Sequence, residues 1–138
     1  MPARDIYHDS VKHALEKGGW NVTDDPFLLR AGAISMYVDL GAERLLAATK
    51  NEEKIAVEIK CFLRASDISE FHAALGQFMN YRLALSKQEP ERVLYLAVPA
   101  DTYDSFFTQP FIQDVLHQYQ VKLIVFKPDQ EVISQWIS

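Results

Sequence analysis

The 138-residue sequence predicts an α/β fold, a mixed central sheet flanked by helices. Three observations lead there. Val93-Leu94-Tyr95-Leu96-Ala97-Val98 is a continuous apolar run, as in a strand covered on both faces. Ile55, Val57 and Ile59 alternate with Ala56, Glu58 and Lys60, the period of a strand with one apolar face. Segments with apolar residues at helical spacing lie before, between and after these runs. The order reads helix, three strands with a hairpin, helix, strand, helix, strand, strand.

Asp5 to Lys17 reads as the first helix, with Ile6, Val11, Ala14 and Leu15 on one stripe and Gly18-Gly19 as a stop signal. Trp20 to Thr23 is a short strand, followed by the turn Asp24-Asp25-Pro26. Ile34 to Leu40 is a second strand. Arg44 to Lys50 continues extended or turns briefly helical, and Asn51-Glu52-Glu53 is the hairpin turn into the strand starting at Lys54. A long helix opens at Ser66-Asp67, where Asp67 as N-cap and Glu70 three residues on fit a capping box. It runs to about Lys87, buries Phe71, Leu75, Phe78, Met79 and Leu83, and is closed by Glu89-Pro90. The apolar strand Arg92 to Val98 ends at Pro99. A helix from roughly Ile112 to Tyr119, a buried strand Val121 to Phe126, a turn at Pro128 to Glu131 and a last strand Val132 to Ile137 complete the chain.

The length suits one domain over residues 1–138. No apolar run approaches a membrane span, and Met1 to Asp5 lack the apolar core of a signal peptide, so no membrane contact is expected. The single cysteine, Cys61, excludes an internal disulfide and reads as a small packed residue in a cytoplasmic protein. A net charge of −5 argues against strong non-specific nucleic-acid binding, though not against contact with DNA through a local basic patch, a metal or a partner.

Glu58 and Lys60 share one face of an otherwise apolar strand, which is costly unless both have partners or work. With an upstream acid, such a pair can hold a hard divalent cation through oxygen, while the lysine orients water or balances phosphate charge. Asp39 is the first candidate for that acid and Glu43 its rival. With the turn near Glu52, simple register sets Glu58 opposite Leu46. Asp39 then reaches Glu58 only if Gly41-Ala42-Glu43 breaks the ladder with a bulge or a tight turn. Gln77 and Tyr81 are four apart on the long helix and share a stripe with Glu70 and Ala74. Asp5, His8 and Glu16 sit on the first helix, where an acid facing the sheet could complete a metal shell. His8 is a supporting candidate, although beside Lys12 its default is the surface. A phosphate-binding glycine loop, a nucleophile elbow and a Cys/His zinc array are all absent, which removes kinases, triad hydrolases and zinc enzymes.

Asp39 followed by Glu58-Ile59-Lys60 on a later strand resembles the PD-(D/E)XK nuclease superfamily, and Gln77 to Tyr81 resembles the QxxxY motif of its RecB-type branch. The resemblance implies a restriction-endonuclease-like fold, with Asp39 and Glu58 as ligands of Mg²⁺ or Mn²⁺, Lys60 as the catalytic lysine, and Gln77 and Tyr81 in support. At whole-chain level, Ala3 to His8, Val38 to Glu43, Ala56 to Lys60 and Ala74 to Phe78 are similar to the XisH family. That family is described as controlling excision of the fdxN element in cyanobacteria, often beside a small partner, XisI. The resemblance implies DNA and an XisI-like protein as partners. A rival reading keeps the fold as a non-catalytic control factor. Finally, Phe106, Phe107, Pro110 and Phe111 form an aromatic cluster that suggests a homodimer or a partner contact, unless it caps the sheet within the chain.

Overall fold

A computed structural model of the chain describes residues 6–46, 51–62 and 67–138. Helix α1 spans His8–Lys17 and ends where Gly19 takes φ +89, a conformation that only glycine adopts without strain. Strand β1 is Asn21–Asp24, and Trp20 precedes it rather than belonging to it. Next come β2 (Phe27–Ala31), β3 (Ile34–Val38), β4 (Leu40–Leu46) and β5 (Asn51–Ile59). Helix α2 covers Asp67–Gln88 and is followed by β6 (Arg92–Pro99). A short helix, α3 (Ala100–Thr102), runs into a π-helical turn at Tyr103–Phe107, then α4 (Pro110–Gln118), β7 (Leu123–Lys127) and β8 (Val132–Ile137).

The central sheet has six strands in the order β1-β4-β5-β6-β7-β8. Strands β5, β6 and β7 run parallel and the outer pairs are antiparallel, so the mixed sheet expected from the sequence is present. The strand around Tyr37 is a correction. It pairs only with β2, in a separate two-stranded hairpin, and the central sheet takes β4 instead. The sequence between Asp25 and Ile34 carries Phe27 and Leu29, which are buried, but its strand was not foreseen.

The two faces of the sheet are packed by different layers. On one, Val11 and Leu15 of α1 cover Leu40, Ala42, Ile55, Val57, Ile59, Ala97, Ile124 and Phe126. On the other, Phe71, Ala74, Phe78, Tyr81 and Leu85 of α2 cover Ala56, Leu94, Leu96 and Val98, with Phe27, Leu29 and Val38 of the small hairpin beside them. Strand β6 is therefore buried on both sides, as its apolar run required. Gln88 stitches α2 to the hairpin by donating to Leu28 O and accepting from Arg30 N. Leu83, expected in the buried face of α2, is exposed, and Leu85 is buried in its place.

The aromatic cluster divides. Phe106 and Phe107 are buried against Phe62 and Phe71, capping the sheet within the chain, while Phe111 is 67% exposed. Phe62 has φ +57, strained for an aromatic residue, and its ring packing against Phe106 and Phe107 holds it there. Asp5, Ser66, the side chain of Asp67 and residues 47–50, which carried parts of the helix starts and of the hairpin reading, lie outside the described residues. Among the described residues no helix is long and apolar enough to cross a membrane.

Candidate functional site

The ladder between β4 and β5 is regular from Leu46↔Asn51 to Leu40↔Val57. Asn51, Glu52 and Glu53 are the first residues of β5 and not a turn, which corrects the register drawn from the sequence. One further step places Asp39 directly opposite Glu58 with no bulge between these strands. The irregularity sits instead between β1 and β4, at Val22 and Asp24. Gly41 serves a different purpose from a bulge. A Cβ there would stand 2.7 Å from Phe27 Cδ2, so the glycine lets the small hairpin close onto the sheet.

Asp39 lies at the bend between β3 and β4, where the chain leaves one sheet for the other. Its carboxylate takes the place of a ladder carbonyl: Ile59 N donates to Oδ2 at 2.7 Å. Asp39 N in turn donates to Glu58 Oε1 at 3.3 Å. The two acids are thus cross-strand partners that each bond the other's strand. Glu58 is 6% exposed. Lys60, two residues on and on the same face, sets its Nζ 3.6 Å from Glu58 Oε2 and reaches solvent.

Burial raises the pKa of both acids, and each also feels the other. Glu58 is pushed to about 8, first by burial and then by the charge of Asp39, with Lys60 offsetting only part of the rise. Protonated Glu58 donates to Asp39, a bond that raises the pKa of Glu58 and lowers that of Asp39, so the proton favours Glu58. From α2, Tyr81 comes close enough for burial and both acids to push its phenol up to about 12. Gln77 hydrogen-bonds Tyr81, and its Oε1 is buried without a partner. The stripe formed by Gln77 and Tyr81 therefore turns toward the sheet and the acid pair.

His8 is not the surface residue that its spacing suggested. It is 4% exposed and its Nε2 lies 2.8 Å from Asp25 Oδ1, while Lys12 Nζ lies 3.3 Å from Oδ2. A positive charge on His8 would lower the pKa of Asp39. Glu16 is exposed and does not join the pair. Glu43, the rival carboxylate, is drawn away by Arg92, whose Nη2 lies 2.9 Å from Glu43 Oε2, and its pKa is lowered by that bond. The sequence reading missed Asp25 and Arg92. Arg92 stands at the first residue of an apolar strand, where burial of a charge implies partners, and that signal was available.

Asp39 and Glu58 offer oxygen only, which suits a hard cation such as Mg²⁺ or Mn²⁺. Among the described residues no group of three or more His, Cys, Asp or Glu side chains is gathered as a metal shell. A cation here would rest on two carboxylates and keep water at its other positions.

The chain is thus a mixed α/β protein with a buried glutamate, a half-buried aspartate and a lysine at one end of its sheet. The XisH protein family model matches residues 1–134, and the chain belongs to the XisH family. It is similar to the crystal structure of an XisH family protein from Nostoc punctiforme, with 50% identity and a TM-score of 0.88 over 97% of this chain and 100% of that one. It is also similar to the structure of an fdxN element excision controlling factor protein from Anabaena variabilis, with 51% identity and a TM-score of 0.88 over 98% of this chain and 100% of that one. No curated protein matches.

Proposed function

We propose that this chain acts in the excision of a mobile DNA element, as a restriction-endonuclease-like protein that hydrolyses phosphodiesters with a divalent metal. The observation that carries the reading is the acid pair. Glu58 is buried beside the half-buried Asp39, and Glu58 is pushed to about 8. That is an expensive arrangement for a fold to keep unless a cation relieves it. The name of the similar Anabaena protein, an fdxN element excision controlling factor, supports the biological setting.

In this reading Asp39 and Glu58 hold Mg²⁺ or Mn²⁺. When bound, the cation supplies positive charge for the phosphate and acidifies water. Lys60, tied to Glu58 and open to solvent, orients water and meets the phosphate. Tyr81 and Gln77 brace the acids from α2. DNA and an XisI-like protein are the partners, with the exposed Phe111 as a contact point for that protein or for a second copy.

Calorimetric titration with Mn²⁺ and incubation with linear and branched DNA test the proposal. Wild type binds the metal and nicks or cuts DNA. Glu58→Gln and Asp39→Asn lose metal, and Lys60→Ala keeps metal but loses cleavage by about 10³-fold or more. If wild type binds no metal and Lys60→Ala is indistinguishable from it on DNA, the chain is a non-catalytic control factor. The net charge of −5 is the observation that favours this second reading.

A further inference from the structure

We infer that the cleft between the C-terminal half of α2 and the starts of β6 and β7 binds a nucleoside monophosphate, with Arg82 and Lys122 holding the phosphate. The cleft stands apart from the acid pair and needs no metal. Arg92 on its wall pairs with Lys54, four residues before Glu58 on β5, which sets the two places about 13 Å apart along the strands.

The cavity has a volume of about 410 Å³, within the range of pockets that hold small organic ligands. Phe78, Leu85 and Leu94 give it an apolar wall, and Arg82, Arg92 and Lys122 are its charged lining. Among the described residues no carboxylate lines it. In a chain of net charge −5, three cations around one cleft are a local reversal of sign.

The three cations are not equivalent. Arg92 donates to Glu43 and Glu89, so its charge is met from outside the cleft. Arg82 meets no carboxylate among the described residues. Its Nη1 donates to Tyr119 O at 2.8 Å and to Gln120 O at 2.9 Å, and its Nη2 lies 3.2 Å from Met79 Sδ. Its guanidinium carbon lies 5.5 Å from the centre of the Phe78 ring. These contacts fix the group in place and still leave Nε–H and one Nη2 hydrogen unused. Lys122 makes no ion pair or side-chain hydrogen bond among the described residues.

Two uncompensated cations at one cleft select an anion, and guanidinium N–H groups fit phosphate oxygens. The apolar wall decides the rest of the ligand. Inorganic phosphate would occupy a fraction of the volume and leave that wall bare. A nucleoside monophosphate carries both parts, an anionic head for Arg82 and Lys122 and a flat base for the wall. The same chemistry is offered by a free nucleotide and by the phosphorylated end of a nucleic-acid strand.

Calorimetric titration of the full chain with adenosine monophosphate, adenosine and inorganic phosphate tests the assignment. We expect the monophosphate to bind about tenfold or more tightly than either of its halves. Lys122→Gln and Arg82→Gln should each weaken it about tenfold. Arg82→Gln also gives up the carbonyls of Tyr119 and Gln120, so Lys122→Gln decides the outcome if Arg82→Gln unfolds. Lys127→Gln, an equal change of net charge at an exposed position off the cleft, should stay within about twofold of wild type. Equal affinity for adenosine and its monophosphate overturns the anion site, and equal affinity for phosphate and the monophosphate overturns the nucleoside assignment. Wild-type affinity in Lys122→Gln, or a loss matched by Lys127→Gln, overturns the cleft as the place of binding, and a wild type that binds no monophosphate ends the idea. A short single strand with and without a terminal phosphate assigns the source. Tighter binding of the phosphorylated strand than of the free nucleotide supports a strand end, and weaker binding supports the free nucleotide.

Discussion

Glu43 on β4 and Glu58 on β5 lie on neighbouring strands of one hairpin, yet their carboxyls are shifted in opposite directions. Around Glu43 the charges are matched. Arg92, 6% exposed, donates to Glu43, Glu89, Ala42 O and Ile55 O, and its guanidinium lies 4.6 Å from the centre of the Phe27 ring. The guanidinium is thus engaged by four acceptors and by the Phe27 ring. Around Glu58 the counts are uneven. Two acids share one half-exposed lysine. The difference separates a network whose charges are matched from one whose acids are only partly compensated.

The largest effect is expected where the network is closed. Arg92→Met leaves Glu43 and Glu89 without their cation and should cost about 3–5 kcal/mol in denaturant unfolding. A loss below about 1 kcal/mol would erase the contrast, because the closed end would then be as dispensable as a surface pair.

The open end should respond to pH instead. The folded-state pKa of Glu58, about 8, lies above its ordinary 4.5. Protonated Glu58 therefore favours the fold, and its contribution is fully present below pH 4.5 and lost as pH rises through 8. The stability of wild type relative to Glu58→Gln should fall across that window by on the order of a few kcal/mol in the absence of metal. A flat difference from pH 5 to 9 would mean that Lys60 compensates the pair in full.

In the metal-dependent reading, the same proton competes with the cation. Binding to the pair releases it, so Mn²⁺ affinity should rise about tenfold per pH unit below 8, roughly 1.4 kcal/mol per unit, and level off above it. Calorimetry in two buffers of different ionisation heat would show the released proton directly. Affinity independent of pH between 6 and 8 would place the cation elsewhere.

The smallest effect belongs to Arg44 and Glu53, an ion pair on the same two strands with both side chains more than a third exposed. Glu53→Gln should change stability by about 0.2–1 kcal/mol, and less in high salt. A larger cost would show that position along the hairpin, rather than burial, sets the value of its charges.

Much of this site was legible because strand and helix periods are local. Residues two apart on a strand share a face, so Glu58 and Lys60 could be paired from the sequence, and residues four apart on a helix placed Gln77 with Tyr81. Asp39 could be named but not positioned. Its approach to Glu58 depends on where the hairpin turns, and Asn51 to Glu53 are polar enough to resemble a turn while forming the first rungs of β5. His8 was misjudged because neighbouring sequence says nothing about a partner seventeen positions away, and Asp25 sits in what reads as an ordinary turn.

The sequence by itself determined the element order, the buried parallel strand β6, the amphipathic α2 and the residue types of the acid site. Each follows from short-range pattern, in which one side chain's environment repeats every two or 3.6 residues. Only the tertiary structure decided which strands join the central sheet, that β3 leaves it for a hairpin with β2, and that Asp39 stands opposite Glu58. It also decided the charge state of the acids, since Glu58 carries its proton to about pH 8 through burial and the nearness of Asp39. Desolvation and Coulomb repulsion act through space, and no spacing along the chain records the distance between two carboxyls on different strands.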